Sequence, residues 1–347
     1  MLSSCLLALC SGAMADAVPI EAPAPQAVPR IAYAQVLEVG GDRVIRTAAP
    51  PVPVEVLMPR AVQPLGTASA LGNDPGFRIG KLRFFEGGKL LLTNGVTTVE
   101  GSSGGGIARW STIGGRQMAG GVGISSHLTA IELPDFGWRS YGVAVGIGDR
   151  VELSVARADF DTRDVGAALG IWQGYTLNLD TIGAKVRVAG DLVYGDTWLP
   201  QIAVGVEHKR SRDGALVRAL GAADHEGTDF TLSATKLLLS RSLLLNTTLR
   251  STAANQLGLL GFGAQDQGRE LHFEGSLGYH MSRRAVIGAE YRSKPDNLGL
   301  GDDDWMDLFA AYALTDNLTV TAAYVDLGSI ATISDQRGGF LSAQVAF

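Results

Sequence analysis

The amino-acid sequence predicts an all-β fold, a transmembrane antiparallel up-and-down β-barrel, and three observations support it. From about residue 88 to the end, side chains alternate between apolar and polar, which is the period of strands and not of helices. Short and long connections alternate between these stretches, as turns and loops do at the two rims of an outer-membrane barrel. The last stretch ends on an aromatic residue, Phe347.

Composition excludes several other classes of protein. The chain has 347 residues, 45 of them glycine, and a net charge of −6 at pH 7. No run approaches the roughly 18 consecutive apolar residues of a transmembrane helix, and no basic stripe suggests nucleic-acid binding. The two cysteines are Cys5 and Cys10. We therefore expect no disulfide framework, no thiolate metal site and no cofactor in the rest of the chain.

The first 76 residues are predicted to lie outside the barrel. Residues 1–15 form an apolar run that ends in Ala13-Met14-Ala15, which predicts a secretory signal peptide cut after Ala15. Residues 16–76 hold ten of the 13 prolines and are interpreted as a periplasmic leader or linker, with peptidoglycan or partner binding as the functional alternative. The predicted outer-membrane barrel then covers residues 77–347.

The stretch "LHFEGSLGYH" at 271–280 illustrates the alternation. One face carries Leu271, Phe273, Leu277 and Tyr279, and the other carries His272, Glu274, Ser276 and His280. In an outer-membrane barrel the apolar face meets lipid and the polar face meets the lumen. The sequence therefore predicts that the leucines and aromatics of this strand point outward.

The strand count has two solutions. Twelve strands are predicted near residues 117–128, 138–147, 150–160, 177–189, 198–210, 228–239, 242–252, 270–281, 284–293, 304–314, 317–326 and 338–347. Two more candidates, 89–100 and 107–114, are joined by "GSSGGG", and bacterial single-chain barrels have an even number of strands. Fourteen strands are favoured, because 89–100 is rich in β-branched residues. The alternative is twelve strands with residues 77–114 folded into the lumen as a plug.

Several stretches resemble a family of uncharacterised Gram-negative outer-membrane proteins known as domain of unknown function 3034. The resemblance covers roughly residues 88–347 and rests on "GKLLLTNGVTTVEGSSGGG", "RVELSVARADFDTRDVGAALG", "DTWLPQIAVGVEHK", "ANQLGLLGFGA", "EYRSKPDNLG" and "AYVDLGSIATISDQRG". It implies a barrel in the outer membrane of a Gram-negative bacterium. It implies no substrate and no catalytic residue.

Charged and polar residues on the predicted lumen face are candidates to line a pore. They are Arg150, Glu152, Lys185, Arg187, Glu207, Lys209, Arg250, His272, Glu274, His280, Glu290 and Arg292. A strongly selective pore would carry a ring of one sign, whereas here both signs are mixed. The pattern fits either a weakly selective channel or a lumen cross-linked by salt bridges.

The predicted extracellular loops supply a second set of candidates. These are Asp159, Asp161, Arg163, Asp164, Lys294, Asp296, Asp326, Asp335 and Arg337, which either line a constriction or pair with each other and pin the loops. The acidic run Asp302 to Asp304 fits a solvated loop better than a Ca²⁺ site, because no spaced oxygen ligands surround it. No metal site is predicted.

Three functions remain open at this point. The first is a channel or transporter for small solutes, and the second is a closed structural or interaction barrel with functional loops. The third, a membrane-embedded hydrolase, is disfavoured because Ser276 and His280 lie about 13 Å apart along one strand, so no enzyme is expected. The predicted partners are outer-membrane lipid, lipopolysaccharide and the barrel-insertion machinery, with Phe347 as the insertion signal.

Overall fold

The computed structural model describes residues 78–79, 82–85, 87–168, 170–195 and 198–347. The predicted signal peptide, 1–15, and the proline-rich leader, 16–76, lie outside the described residues. Within the described ranges, no helix is both long and apolar enough to cross a membrane.

Strands dominate the described chain. They are β1 (Arg78–Ile79), β2 (Leu82–Phe84), β3 (Val96–Thr97), β4 (Ser103–Gly104), β5 (Gly121–Glu132), β6 (Gly137–Ile147), β7 (Val151–Asp161), β8 (Thr176–Ala189), β9 (Gln201–Ser211), β10 (Glu226–Leu238), β11 (Leu243–Thr252), β12 (Glu270–His280), β13 (Ala285–Arg292), β14 (Trp305–Ala313), β15 (Leu318–Asp326) and β16 (Arg337–Ala346). Two short helices, α1 (Val165–Ala168) and α2 (Gly214–Ala219), and two 3₁₀ turns, Leu239–Arg241 and Asn255–Gly258, lie in connections.

The described strands from β5 to β16 form a closed barrel. Each pairs antiparallel with the next strand along the chain, and β16 pairs with β5, for example Leu341 with Ala130, which closes the ring. The predicted antiparallel up-and-down barrel is confirmed. The favoured count of fourteen strands is wrong, and the alternative of twelve is right. The short β2 pairs with β5 in parallel at Arg83 and Phe84, outside the ring.

The candidate strands 89–100 and 107–114 are not part of the wall. Every residue from Leu92 to Gly115 is buried, whereas a wall strand of a membrane barrel exposes every second side chain. This segment instead lies inside the lumen around the small hairpin β3–β4. At Gly105 a Cβ atom would collide with the Glu290 carboxylate, so glycine lets the backbone approach the wall.

The outer surface of the barrel is apolar. In β12, Leu271, Phe273, Leu277 and Tyr279 are 45–68% exposed, whereas Glu274 and Ser276 are buried. The same alternation runs through the other barrel strands, for example in β14, where Leu308 is exposed and Asp307 is buried. A continuous apolar outer face of this kind is stable in lipid and not in water. The fold is that of a membrane-spanning β-barrel.

The two rims of the barrel differ. One rim, the short-turn end, carries the connections 148–150, 239–242, 281–284 and 314–317, together with the eleven-residue link 190–200. The other rim, the long-loop end, carries 162–175, 212–225, 253–269, 293–304 and 327–336, together with the short link 133–136. The links 190–200 and 133–136 are the two exceptions to a strict alternation of length.

Candidate functional site in the barrel lumen

The lumen contains residues 88–117, which we call the plug. Both ends of the plug lie at the short-turn end, where the Gly88 amide donates to the Arg116 carbonyl (3.0 Å). The Lys89 ammonium donates to the Ile113 carbonyl (2.6 Å) and forms an ion pair with Asp149 (2.7 Å). The plug therefore enters the barrel, turns inside it and returns to the same rim.

A cluster of buried charges joins the plug to the wall. We call it the charged cluster; its members are Glu100 and Arg109 of the plug and Glu207, Lys209, Asp229, Arg250, Glu274 and Arg292 of the wall, each at most 3% exposed. Glu100 contacts three cations, Lys209, Arg250 (3.2 Å) and Arg292 (2.6 Å). These cations come from β9, β11 and β13, so one plug carboxylate contacts three of the twelve wall strands.

Arg250 of β11 holds the largest number of ion pairs in this cluster. Its guanidinium lies 2.6 Å from Glu207, 2.5 Å from Glu274 and 3.2 Å from Asp229, in addition to Glu100. Guanidinium presents five donors in a fixed fork, which suits several carboxylates at once. Arg250 thus links strands β9, β10 and β12 to the plug.

Arg109 attaches the plug through a second charged side chain. Its guanidinium pairs with Glu207 (2.7 Å), and its backbone amide donates to Glu274 (2.7 Å). Two wall side chains, Asn246 and Thr248, donate to the Arg109 carbonyl (3.1 and 2.7 Å). Side chain and backbone of this residue are therefore both fixed to the wall.

A second anchor lies around Glu152 and Lys185. The Glu152 carboxylate accepts hydrogen bonds from Ser102 Oγ (3.0 Å) and from the Gly114 amide (2.6 Å) of the plug. Lys185, paired with Glu152 at 3.2 Å, donates to the Ser103 carbonyl (2.8 Å). The glycine- and serine-rich plug offers backbone groups to buried wall charges, as needed to satisfy them.

Two wall carboxylates lack a cationic partner among the described residues. Glu290 accepts from the Ile107 amide (2.9 Å) and Ser276 Oγ (2.7 Å). Its neighbour across the strand pair β13–β14 is Asp307, which is 4% exposed and has no hydrogen-bond partner on either oxygen among the described residues. Two adjacent buried carboxylates repel each other when both are ionised, so this pair lacks the stabilising ion pairs of the charged cluster.

The charged cluster has the geometry of a metal site but is filled by protein cations. Carboxylate oxygens of Glu100, Glu207 and Asp229 lie within 4.8 Å of one another. The Lys209 ammonium stands among them, 2.7 Å from Asp229 and 3.8 Å from Glu207, and also contacts Glu100. A lysine ammonium therefore supplies the charge that a metal ion would supply.

The structure places most of the predicted lumen residues inside the barrel. Buried there are Glu152, Lys185, Glu207, Lys209, Arg250, Glu274, Glu290 and Arg292. Arg187 is half-buried and pairs with Asp149 (3.0 Å), and His272 and His280 are half-buried. Arg150 is exposed at the rim, because the strand begins one residue later at Val151. Sequence reasoning missed Glu100, Arg109 and Asp229, although the glycine-rich turn after Glu100 marked the segment as unusual.

The predicted loop residues mostly pair with each other or cap loop backbone. Arg163 contacts Glu132 and donates to the Leu133 carbonyl (2.7 Å). Arg337 pairs with Asp326 (2.7 Å) and Asp335 (3.7 Å).

The other predicted loop carboxylates accept hydrogen bonds within the loops. Asp161 accepts from the Arg163 amide, and Asp164 accepts from the Gln173 side chain. Asp296 accepts from the Leu300 and Gly301 amides. Asp159 is half-buried opposite Arg139 and Asn178. These contacts connect neighbouring loops and strands.

An apolar cluster lies at the long-loop end of the lumen. Its largest members are Trp138, Trp305, Phe136, Phe160 and Phe340, all at most 4% exposed. The ring of Trp138 packs edge-on against Trp305 and Phe160, with centroids 5.6 Å apart in both pairs. The plug contributes only Val99 and Ile107 to this cluster.

Lys294, in the loop after β13, borders the apolar cluster. Its ammonium donates to Gln256 Oε1 (3.1 Å) and lies 4.9 Å from the centre of the Trp305 ring. Burial lowers the pKa of Lys294 to about 8, against the opposing charge of Asp302. Burial also raises the pKa of Asp302. Keeping the Lys294 ammonium charged next to the Trp305 ring therefore costs free energy near neutral pH.

No catalytic constellation forms from the residues weighed for hydrolysis. Ser276 donates to Glu290 and accepts from the Trp110 indole (2.8 Å), and neither histidine contacts it. His272 does approach Ser293 Oγ (3.2 Å). That hydroxyl, however, accepts from the Phe273 amide (2.8 Å) and donates to the Phe273 carbonyl (3.2 Å), so it bridges backbone at the strand end.

The barrel is similar in structure to solved outer-membrane proteins at low identity. The KdgM porin in complex with disordered oligogalacturonate aligns at 12% identity with a TM-score of 0.43, over 64% of this chain and 99% of that chain. The NanC porin aligns at 12% identity with a TM-score of 0.41, over 65% and 98%. The outer membrane phospholipase of Salmonella typhi with bound calcium aligns at 8% identity with a TM-score of 0.36, over 64% and 90%.

At the level of sequence, no curated protein matches this chain. A family model described as "Protein of unknown function (DUF3034)" matches residues 93–344, which include most of the plug and nearly the whole barrel. The chain therefore belongs to the DUF3034 family.

Proposed function

We propose that this protein is a gated outer-membrane conduit for small solutes, held closed at rest by its plug. The observation that carries the proposal is the charged cluster, in which Glu100 and Arg109 of the plug are paired with wall residues on several strands. A plug tied in this way blocks the lumen while it stays in place. Its release would leave a passage lined by the mixed charges of the wall.

The charged part of the contact between plug and wall favours a plug that moves over one that is permanent, although Leu92, Val96 and Trp110 also pack against apolar wall residues. Separating two apolar surfaces in water costs free energy in proportion to their area. Separated charges are rehydrated, and the large cost of burying them is recovered. A charged interface can therefore be firmly closed and still open to a hydrated state. The wall cations Lys209, Arg250 and Arg292 would then face water.

The proposed location is the outer membrane of a Gram-negative bacterium, reached after export with a cleaved signal peptide. The apolar outer wall would contact lipid, with lipopolysaccharide around the long-loop end. Phe347, 43% exposed at the end of the chain and packed edge-on against Phe85 (6.2 Å), would present the C-terminal strand to the insertion machinery. No catalytic role is proposed.

A closed structural or interaction barrel is the second candidate, because the same plug fills the lumen. The two functions differ in one property. A gated conduit must conduct once the plug is loosened, whereas a structural barrel stays silent for as long as it is folded.

Conductance in planar bilayers tests the proposal. We expect the native chain to be almost silent and Glu100→Gln to show discrete conductance steps, because the substitution removes the charge that Lys209, Arg250 and Arg292 share. Glu132→Gln is the matched control. Its single ion pair with Arg163 is at the surface, with the Glu132 side chain 61% exposed, so it should behave like the native chain.

Heat-modifiable gel mobility would establish that each variant is a folded barrel. Silence of a folded Glu100→Gln barrel would overturn the gated conduit and favour the structural role. Large, steady conductance of the native chain would overturn the claim that the plug closes the lumen.

A further inference from the structure

A cavity of about 90 Å³ lies at the long-loop end, against the apolar cluster. Wall strands β6, β7 and β8 contribute Trp138, Phe160 and Leu177, and the long loops contribute Ile171, Leu216 and Leu300. Polar side chains that line it are Thr162, Gln256 and Thr332, and none of the described residues that line it is charged. The cavity is thus an apolar chamber with a few neutral polar groups, which is the usual composition of a small-molecule site.

The backbone around the cavity is strained at three positions. Gln256, Ala331 and Thr332 have φ angles of 44°, 49° and 72°, the left-handed region that non-glycine residues rarely adopt and that suits a β-branched threonine least. These residues come from two different loops, and all three line the cavity. Strain of this kind persists where the surrounding structure enforces it and is concentrated at binding sites.

Unused hydrogen-bonding capacity lies in the same place. The Trp138 side chain is 1% exposed, and its indole N–H has no acceptor among the described residues. A buried donor without an acceptor is costly, and an acceptor atom on a bound molecule would remove that cost. Gln256 has its amide oxygen engaged by Lys294 (3.1 Å).

Two residues that line the cavity are exposed to solvent at the long-loop end. They are Leu220, which is 41% exposed, and Thr332. One residue follows α2 and the other lies in the loop between β15 and β16. We therefore expect a small molecule to enter between these two loops.

We propose that this cavity binds a neutral, largely apolar molecule smaller than an aromatic ring, such as a short alkyl chain, with one hydrogen-bond acceptor. The size follows from the volume, since an apolar cavity of about 150 Å³ accommodates benzene and this cavity, at about 90 Å³, is smaller. Neutrality follows from the lining, because a charge buried there would have no partner. The site goes beyond the proposed conduit and does not depend on it.

Binding of 1-propanol to the full-length barrel in lipid nanodiscs tests the proposal, with empty nanodiscs to correct for partition into lipid. Saturation-transfer NMR would report the bound ligand. We expect saturable binding to the native chain and at least tenfold weaker binding to Ile171→Trp, which fills the chamber from the loop side. The matched control is Leu153→Trp on the outer wall, where Leu153 is 51% exposed, and it should bind like the native chain.

Charged analogues test the chemistry of the site. Propionate and propylamine should each bind at least tenfold more weakly than 1-propanol. Non-saturable uptake, or equal binding to Ile171→Trp and Leu153→Trp, would overturn the site, provided that gel mobility shows both variants folded. Equal binding of the charged analogues would overturn the assigned ligand class. None of these results depends on conductance, so failure here leaves the conduit proposal standing.

Discussion

The charged cluster and the apolar cluster lie side by side in one lumen and stabilise it by opposite means. They meet where the Arg292 guanidinium donates to the carbonyl of Ile107 (3.0 Å), a plug residue of the apolar cluster. The charged cluster joins plug to wall, whereas the apolar cluster mainly joins wall strands to long loops. We infer that the plug is the part that separates and that the apolar cluster keeps the long loops in place.

The largest expected effect is in the charged cluster. Arg250→Met should lower the free energy of unfolding by about 3–5 kcal/mol, because it leaves the buried charged cluster with four carboxylates and three cations. Urea unfolding in lipid vesicles would measure the loss. Arg337→Met, whose ion pairs with Asp326 and Asp335 lie at the surface, is the control and should unfold like the native chain. Equal stability of the two variants would mean that the buried ion pairs do not hold the structure together.

A somewhat smaller effect is expected in the apolar cluster. Leu327→Ala, at a fully buried position, should cost about 3 kcal/mol through lost contacts and the cavity left behind. Because Leu327 does not touch the plug's ion pairs, this variant should stay silent in planar bilayers while Glu100→Gln conducts. Conductance by Leu327→Ala would contradict the division between a moving and a static part.

The opposite sign is expected at Asp307. Asp307→Asn should raise the free energy of unfolding by about 1 kcal/mol, because a neutral amide replaces an ionisable group that is buried beside Glu290 without a hydrogen-bond partner among the described residues. The control is Asp335→Asn, at a side chain that is 81% exposed, and it should have no effect. A loss of stability in Asp307→Asn would show that this carboxylate has a favourable role that its contacts do not reveal.

A further effect concerns pH at the edge of the apolar cluster. Burial holds the pKa of Lys294 near 8, below its ordinary 10.5, so the folded state releases this proton before the unfolded state does. Between these two values the unfolded state binds more protons, and stability should rise with pH. Unfolding at pH 7 and pH 9.5 would show the rise in the native chain and a smaller rise in Lys294→Met. Identical pH profiles would place the titration elsewhere.

The sequence predicted the wall far better than the contents of the lumen. The alternation in β12 assigned Leu271 to the outside and Glu274 to the inside, because a period of two is a local property. The β-branched residues of the segment 89–100 favour a strand. Burial on all sides places this segment inside the lumen. That burial depends on partners more than 100 residues away in the chain, such as Glu290, whose carboxylate accepts from the Ile107 amide.

The pairing of charges was equally beyond sequence reasoning. Lys209 and Arg250 were identified as lumen residues from parity alone. Their partner Glu100 lies outside every barrel strand, so no periodicity pointed to it. The apolar cavity was missed because loops that are distant in the chain contribute its lining, among them Leu216 and Leu300.

A reversible disulfide between plug and wall would show whether solutes pass only when the plug moves. Gly114 of the plug and Ala144 of β6 are suitable positions for the two cysteines. A Cβ atom at Gly114 would lie 3.4 Å from the Cβ atom of Ala144, and the Cβ–Cβ distance in disulfides is about 3.5–4.5 Å. The only native cysteines, Cys5 and Cys10, lie in the predicted signal peptide. The lock would be added to the Glu100→Gln background, with each single cysteine variant as a control.

Conductance of this variant would be recorded before and after reduction. We expect silence while the disulfide is formed and discrete conductance steps once it is reduced. The single cysteine variants should conduct under both conditions. Unchanged conductance in the oxidised, locked barrel would contradict this expectation, because solutes would then pass without any movement of the plug.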